Sequence, residues 1–395
     1  MTNKDLIPDS AILAGIPMIT KSVSHLENAV KENCAVLSNN FATCTFSVHL
    51  DTPAASSTKH VLVRLESSND HVTTVAALQK LAHSQLPHLV PQLLDVGITY
   101  TAEGQQLVYS VTEFVSDAVT LEEEWDKLDD QKQKDLMSSI IAAVSKLQSL
   151  TLDSKQVREI LQGTPFYRDG KMVSFGGPEL GYYTDMREFL AKLAGDTTPD
   201  ATNFSVTQTP NSFVVESGLE NIDRVELTSS DLAELRHHVV FCHNDLEPRN
   251  ILIKPDTAHS GKWAIAAIID WEMAGFFPFS YESGHKDADL GISNLYFSYY
   301  TLFKEQSQNL LAGGQSANKL LEALRAMYVS KKSCQKETVG RLFQARWLER
   351  QKVELSSDVR LGWVREASAG NFRIFTKQDN EDLEMEILKE LGYIS

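Results

Sequence analysis

Phe241-Cys-His-Asn-Asp-Leu-Glu-Pro-Arg-Asn-Ile-Leu-Ile253, followed by Ile268-Ile-Asp-Trp-Glu272, is the stretch from which the fold is read. It spaces His243, Asp245 and Asn250 as H-x-D-x-x-x-x-N, and a further acid, Asp270, follows downstream. Phosphoryl transfer from a nucleotide asks little covalent chemistry of a protein. It needs a carboxylate to orient a hydroxyl and hard oxygen ligands to hold Mg²⁺ on the phosphates. The triplet alone is weak evidence, because residue types at about 5% each would produce it by accident in roughly one such chain in twenty.

The setting adds specificity. Ile251-Leu-Ile253 and Ala264-Ile-Ala-Ala-Ile-Ile269 are short apolar runs. Between them lies the turn-rich Lys254-Pro-Asp-Thr-Ala-His-Ser-Gly-Lys262. This pattern predicts a β-hairpin. The start of one strand of a hairpin lies beside the end of the other. Asn250 precedes the first strand and Asp270 follows the second, so an amide and a carboxylate are expected side by side. Both are oxygen donors of the kind Mg²⁺ prefers and zinc does not. The competing reading is an ordinary surface hairpin with polar flanks.

Composition narrows the classes. The 395 residues suffice for a two-lobed enzyme, and 42% hydrophobic with 23% charged residues is the balance of a globular protein. The formal net charge of −16 and the lack of a basic stripe argue against nucleic-acid binding. No apolar run reaches the length of a membrane span, and the first twenty residues do not resemble a secretory signal. Four scattered cysteines, Cys34, Cys44, Cys242 and Cys334, form no C-x-x-C pair. They suit a reducing compartment, and a cytoplasmic location is expected.

Along the chain, residues from about 33 to 115 read as strands with one helix. Strands are expected at Cys34–Leu37, Thr43–Leu50, Lys59–Leu65, Pro91–Leu94 and Gln106–Phe114, with a helix over Ala76–Leu86. From Leu121 the pattern is helical. Leu136, Ile140, Ile141, Val144, Leu147 and Leu150 share one helical face. Helices are also expected at Asp185–Leu193, Ser229–His238, Leu290–Phe303, Ala317–Met327, Thr338–Lys352 and Glu381–Leu391, with a polar loop over Gly195–Asn211.

With these residues in view, the chain resembles the aminoglycoside phosphotransferase family, and most closely its large fungal branch. The likeness runs from about Val36 to Tyr281 and is concentrated in Val240–Pro278. It implies an α+β, two-lobed, protein-kinase-like fold. Residues 1–115 would form a small antiparallel β-rich lobe, and 116–395 a larger, mainly helical lobe. ATP and Mg²⁺ would lie between them. Asp245 matches the acid that orients the acceptor hydroxyl, and Asn250 and Asp270 match the metal ligands. His243 matches a loop histidine whose expected role is structural. Glu272 is either a group near the metal or a surface acid. Arg64 stands where such folds carry a lysine on the third strand that contacts the nucleotide phosphates. Strand alternation puts Leu62 on the same face, suited to pack against adenine. Thr112-Glu113-Phe114-Val115 falls at the hinge, where Glu113 and Val115 would meet the purine edge.

Two departures stand out. The loop that should cover the phosphates, Ser38-Asn39-Asn40-Phe41-Ala42, has no glycine. The helix glutamate that should pair with the strand-three base is replaced by Thr74. Either Arg64 needs no carboxylate, or Glu66 or another acid serves, or the site is degraded. The absence of D-F-G and A-P-E segments argues for a small-molecule kinase over a regulated protein kinase. The expected reaction is γ-phosphoryl transfer from ATP to a metabolite hydroxyl, an amino alcohol, aminoglycoside-like or secondary-metabolite acceptor, with no obligate protein partner. The alternative is a kinase-like pseudoenzyme that binds a nucleotide or metabolite without turnover.

Overall fold

The computed structural model describes residues 31–39, 43–50, 59–67, 71–168, 171–172, 174–195, 202–257, 261–334, 338–369 and 375–394, with isolated positions before residue 31. Residues 40–42 of the expected phosphate-covering loop lie outside the described residues.

Two-residue alternation builds the first sheet. In His60–Ser67, Val61, Val63 and Leu65 are buried, while Leu62 and Arg64 point to the opposite face. The strands β1 (Cys34–Asn39), β2 (Thr43–His49), β3 (His60–Ser67), β4 (Leu93–Tyr100) and β5 (Gln106–Glu113) pair antiparallel in the order β1-β2-β3-β5-β4. One face closes over its own core of Phe46, Val48, Val63, Leu65 and Val111, joined by Ile19, Val23 and Leu26. The helix α1 (Val72–Gln85) follows β3. It buries Leu78, Leu81 and Ala82 in the other, larger core.

That larger core is mainly helical. The helix α2 (Asp130–Leu147) is capped by the Asp129 side chain, which accepts from the Lys132 N–H. Its buried face carries Leu136, Met137, Ile140, Ala143, Val144 and Leu147, and Ile141 packs at the margin. The hairpin strands β6 (Ile251–Pro255) and β7 (Trp263–Ile268) pair from Ile251↔Ile268 to Pro255↔Trp263, and Val119–Thr120 adds a short third strand on β6. Beyond them lie α3 (Phe279–Asp289) and α4 (Gly314–Cys334). Gly284 lets these two helices approach, since a Cβ there would stand 2.7 Å from Leu324 and 3.1 Å from Leu321. Among the described residues no helix is long and apolar enough to cross a membrane.

Several local expectations differ from the structure. α1 begins at Val72, before the expected Ala76, because burial of Thr74 overrides the weak helix propensity of the β-branched Val72-Thr-Thr-Val75 turn. Part of the expected polar loop at Gly195–Asn211 is a strand, Phe204–Thr209, paired with Ser212–Ser217 and followed by Val225–Thr228. Only Phe204 is buried in it, so composition disguised it. The expected Leu290–Phe303 helix spans Phe297–Gln306, and Gly291 at φ +81° turns the chain before it. The helix upstream, Phe279-Ser-Tyr-Glu-Ser-Gly-His-Lys-Asp-Ala-Asp289, is polar in sequence and yet largely buried.

A second sheet carries the loop of interest. Val239–Cys242 pairs with Gly275–Pro278, which meets the hairpin of Phe175–Gly177 and Gly181–Tyr183. Gly275 lies against the Gly176 carbonyl, with the Gly177 Cα 2.9 Å from where a Cβ would stand. Gly275→Ala is expected to overpack this backbone contact and destabilise the protein by about 1–3 kcal/mol, read from the denaturant midpoint.

Candidate active site

Asn250 is the last residue before β6, and Asp270 comes two residues after β7. The Ile269 N–H donates to the Asn250 carbonyl at 3.0 Å, so the ladder runs one step past Ile251↔Ile268. The chain turns at Asp270, whose φ is +65°. The amide and the carboxylate expected to meet at the open end of the hairpin are therefore brought there by main-chain pairing.

Asp245 is held from several sides. The Asn250 amide donates to the Asp245 carbonyl and to its Oδ2, both at 2.8 Å. Arg249 donates through Nη2 to Oδ1 at 2.7 Å and to Oδ2 at 2.9 Å, while its Nη1 reaches the Ser293 carbonyl at 2.9 Å. His243 is buried beneath. Its Nε2 lies 3.0 Å from the Ile269 carbonyl, and its Nδ1 lies 3.3 Å from the Asp245 N–H. A ring that accepts at Nδ1 must carry its proton on Nε2. Burial pushes the imidazole down to about 4, so it is neutral at ordinary pH. Thus His243 ties the loop to the end of the hairpin, the structural role expected of it. Asn244 adopts φ +62° and donates to the Met273 carbonyl at 2.9 Å, which closes the loop.

Arg64 enters from β3. It lies 2.6 Å from Glu66 through Nε, 2.7 Å from Glu272 through Nη2, and 3.5 Å from Asp270 through Nη1. Thr74 is buried and carries no charge, so the helix supplies no partner. Glu66, two residues along the same strand, and Glu272, beyond the hairpin, take that place. Of the possibilities the sequence left open, the structure shows other acids beside Arg64.

A cleft of about 600 Å³ opens between the sheet and the helical part. Arg64, Asn250, Asp270 and Glu272 line one end. Leu62, Val75, Ala76, Leu93 and Leu252 form apolar walls, and Glu113, Phe114 and Val115 border it. Size and lining fit a nucleotide-sized ligand. At the border, the Glu113 N–H donates to the Gln92 carbonyl at 3.1 Å and the Phe114 N–H to the His60 carbonyl at 3.1 Å. Val115 is then the border donor that makes no hydrogen bond among the described residues.

The donors at the phosphate end suit a hard cation. Asp270 Oδ1 is buried and takes part in no hydrogen bond among the described residues. Burial first, then the neighbouring Glu272 carboxylate, pushes the Asp270 carboxyl up to about 6, against the pull of Arg64. A cation beside it would relieve that cost.

Sequence reasoning missed several contributors. Arg249 had a visible signal, a base four residues after Asp245. Lys286 and Lys304 had none. Lys286 pairs with the buried Glu247 at 2.7 Å and donates to the Leu246 carbonyl at 2.6 Å, so α3 is bolted under the loop. Lys304 pairs with Asp287 at 2.9 Å, and Tyr300 donates to the same Asp287 at 2.6 Å. Tyr281, Glu282 and Asp287 on α3 are buried as well.

The fold and these groups define a two-lobed, kinase-like phosphotransferase. The model of the phosphotransferase enzyme family (APH) matches residues 62–285, and the chain belongs to that family. Solved structures similar to it include the aminoglycoside phosphotransferase APH(2″)-IIIa with GDP and kanamycin, at 13% identity and a TM-score of 0.42, covering 96% of each chain. Choline kinase from Cryptosporidium parvum Iowa II is similar at 9% identity and a TM-score of 0.34, covering 98% of this chain and 96% of that one. Spectinomycin phosphotransferase APH(9)-Ia with ADP and spectinomycin follows at 10% and 0.32, covering 90% and 92%. No curated protein matches the chain.

In the metal-free protein Asp270 is expected to titrate near pH 6, followed through its carboxyl carbon resonance. Glu272→Gln removes a like charge and is expected to lower that midpoint, while Arg64→Ala removes the opposing cation and raises it. Because the midpoint lies above the ordinary carboxylate value, this group's contribution to stability is full at low pH and is lost as pH rises through about 6.

Proposed function

We propose that the protein is an ATP-dependent kinase that transfers the γ-phosphoryl group to a hydroxyl of a small metabolite. Residues 1–115 are read as the nucleotide lobe and 116–395 as the lobe that carries the acceptor. The observation that carries the reading is the convergence of Asp245, Asn250 and Asp270 at the end of one hairpin, beside a nucleotide-sized cleft that Arg64 enters.

In this reading the adenine lies against Leu62 and accepts from the Val115 N–H, with Glu113 beside it. Arg64 exchanges part of its acidic neighbourhood for the α and β phosphates, where its planar donor fork suits phosphate oxygens. Asn250 and Asp270 would hold Mg²⁺, which when bound neutralises charge on the phosphates. Asp245 receives the acceptor hydroxyl and orients its oxygen in line with the γ-phosphorus. The oxygen–phosphorus bond forms as the bond to the β–γ bridging oxygen breaks. ADP departs, and the hydroxyl proton leaves by way of Asp245. Catalysis is then chiefly positioning and preorganised charge. An acidic chain favours a hydroxylated, amine-bearing acceptor over an anionic one.

Two measurements test this. ATP with Mg²⁺ at a hundred times its dissociation constant should stabilise the fold by roughly 2.7 kcal/mol in thermal unfolding. No effect of ATP or of GTP would remove both the kinase and a nucleotide-binding pseudoenzyme. Incubation of a metabolite extract with γ-labelled ATP should yield a labelled small molecule. Asp245→Asn is expected to abolish that product, and the slow hydrolysis of ATP, while nucleotide still binds. An unchanged rate would refute the role of Asp245.

A further inference from the structure

Both oxygens of the Asp245 carboxylate are already occupied, and Arg249 is the group that touches both. Arg249 is half-buried and is anchored at its far side by the Ser293 carbonyl, in the turn that begins at Gly291. Its backbone is fixed by the short helical turn Pro248–Asn250, so it projects from the same rigid segment as Asn250. The remaining N–H groups of the guanidinium make no hydrogen bond among the described residues. It therefore carries spare donors beside the carboxylate that orients the acceptor, one residue from the amide at the hairpin's end.

The geometry points to Arg249 as a second, cis-acting guanidinium of the transfer site. It fixes the plane of the Asp245 carboxylate, and it turns its free donors to the oxygens of the phosphoryl group in flight. This rests on the reading of Asp245 as the acceptor-orienting acid. The task needs arginine in particular. Two oxygens of one carboxylate, one carbonyl and a phosphoryl oxygen are too many directions for a single ammonium, whereas a planar fork serves them together. Arg64 is engaged elsewhere, since it enters from β3 among Glu66, Asp270 and Glu272 and forms no hydrogen bond or ion pair with Asp245 among the described residues. The two arginines divide the nucleotide: Arg64 for its bound phosphates, Arg249 for the group that leaves. As the oxygen of the acceptor, or of water, bonds to the γ-phosphorus and ADP departs with the bridging oxygen, charge spreads over the equatorial oxygens. A fixed guanidinium stabilises that distribution more than the ground state.

The test needs no knowledge of the acceptor, because water can take the hydroxyl's place in slow Mg²⁺-ATP hydrolysis by the full chain. Arg249→Gly and Arg249→Lys are compared with Asp245→Asn and the unaltered protein. Both Arg249 variants are expected to lose about 100-fold in kcat, with KM for ATP changed by no more than about twofold. Stabilisation by Mg²⁺-ATP in thermal unfolding is expected to remain. Arg249→Lys keeps charge and bulk, so its loss cannot be ascribed to misfolding. Guanidinium ion at non-denaturing concentration is expected to restore at least about tenfold to Arg249→Gly, which a purely structural side chain would not permit. A kcat within about threefold of the unaltered protein in both variants, or a loss carried wholly by KM, overturns the proposal. If Asp245→Asn retains its rate, the underlying reading fails; if only the Arg249 variants retain theirs, that reading stands and this inference alone falls.

Discussion

The pairing of Ile251 with Ile268, extended by the Ile269 N–H to the Asn250 carbonyl at 3.0 Å, is the constraint on which the rest of the site depends. A hairpin ladder fixes its ends to within a fraction of an ångström without any help from the side chains it carries. Asn250 and Asp270 inherit that precision. His243 and Asn244 then tie the preceding loop to the carbonyls of Ile269 and Met273, on the far side of the same ladder. One two-stranded element thus sets the positions of Asn250 and Asp270 and, through His243 and Asn244, of the loop that carries Asp245. Its apolar residues Ile251, Ile253 and Ile268 root it in the large core.

Charge is arranged in two layers around this frame. The upper layer faces the cleft, where Glu66, Asp270 and Glu272 surround Arg64. Such exposed or half-exposed pairs are individually weak and can be exchanged for phosphate at low cost. The lower layer is buried, with Lys286 on Glu247 and Lys304 on Asp287. Burial pushes the Glu247 carboxyl up to about 7 despite the ammonium beside it. Buried pairs add little net stability over an apolar core, but removing one partner strands a charge, at a cost of about 3–5 kcal/mol. The lower layer therefore locks the geometry while the upper layer stays exchangeable, the division of labour that the proposed nucleotide binding requires.

Legibility in the sequence followed the range of the interactions. Strand β3 was readable because alternation of Val61, Val63 and Leu65 with Leu62 and Arg64 is a local signal. The helix α2 was readable for the same reason at its own period. In contrast, α3 carries so many polar residues that it reads as surface, and its partners Glu247, Lys304 and the Leu246 carbonyl make its burial tolerable. The strand Phe204–Thr209 was hidden likewise, because what makes it a strand is its pairing with Ser212–Ser217.

By itself the sequence determined the hairpin, the residues at its open end, the face of β3 that carries Arg64, and so the class of chemistry. These depend on spacing and on a two-residue period, both set by local backbone geometry. The tertiary structure alone decided which acids attend Arg64, that Arg249 grips both oxygens of Asp245, and that Lys286 and Lys304 lie beneath the loop. Those contacts join residues far apart in the chain, Arg64 and Glu272 above all, and no local periodicity encodes which distant charges a folded chain will bring to within a hydrogen bond of each other.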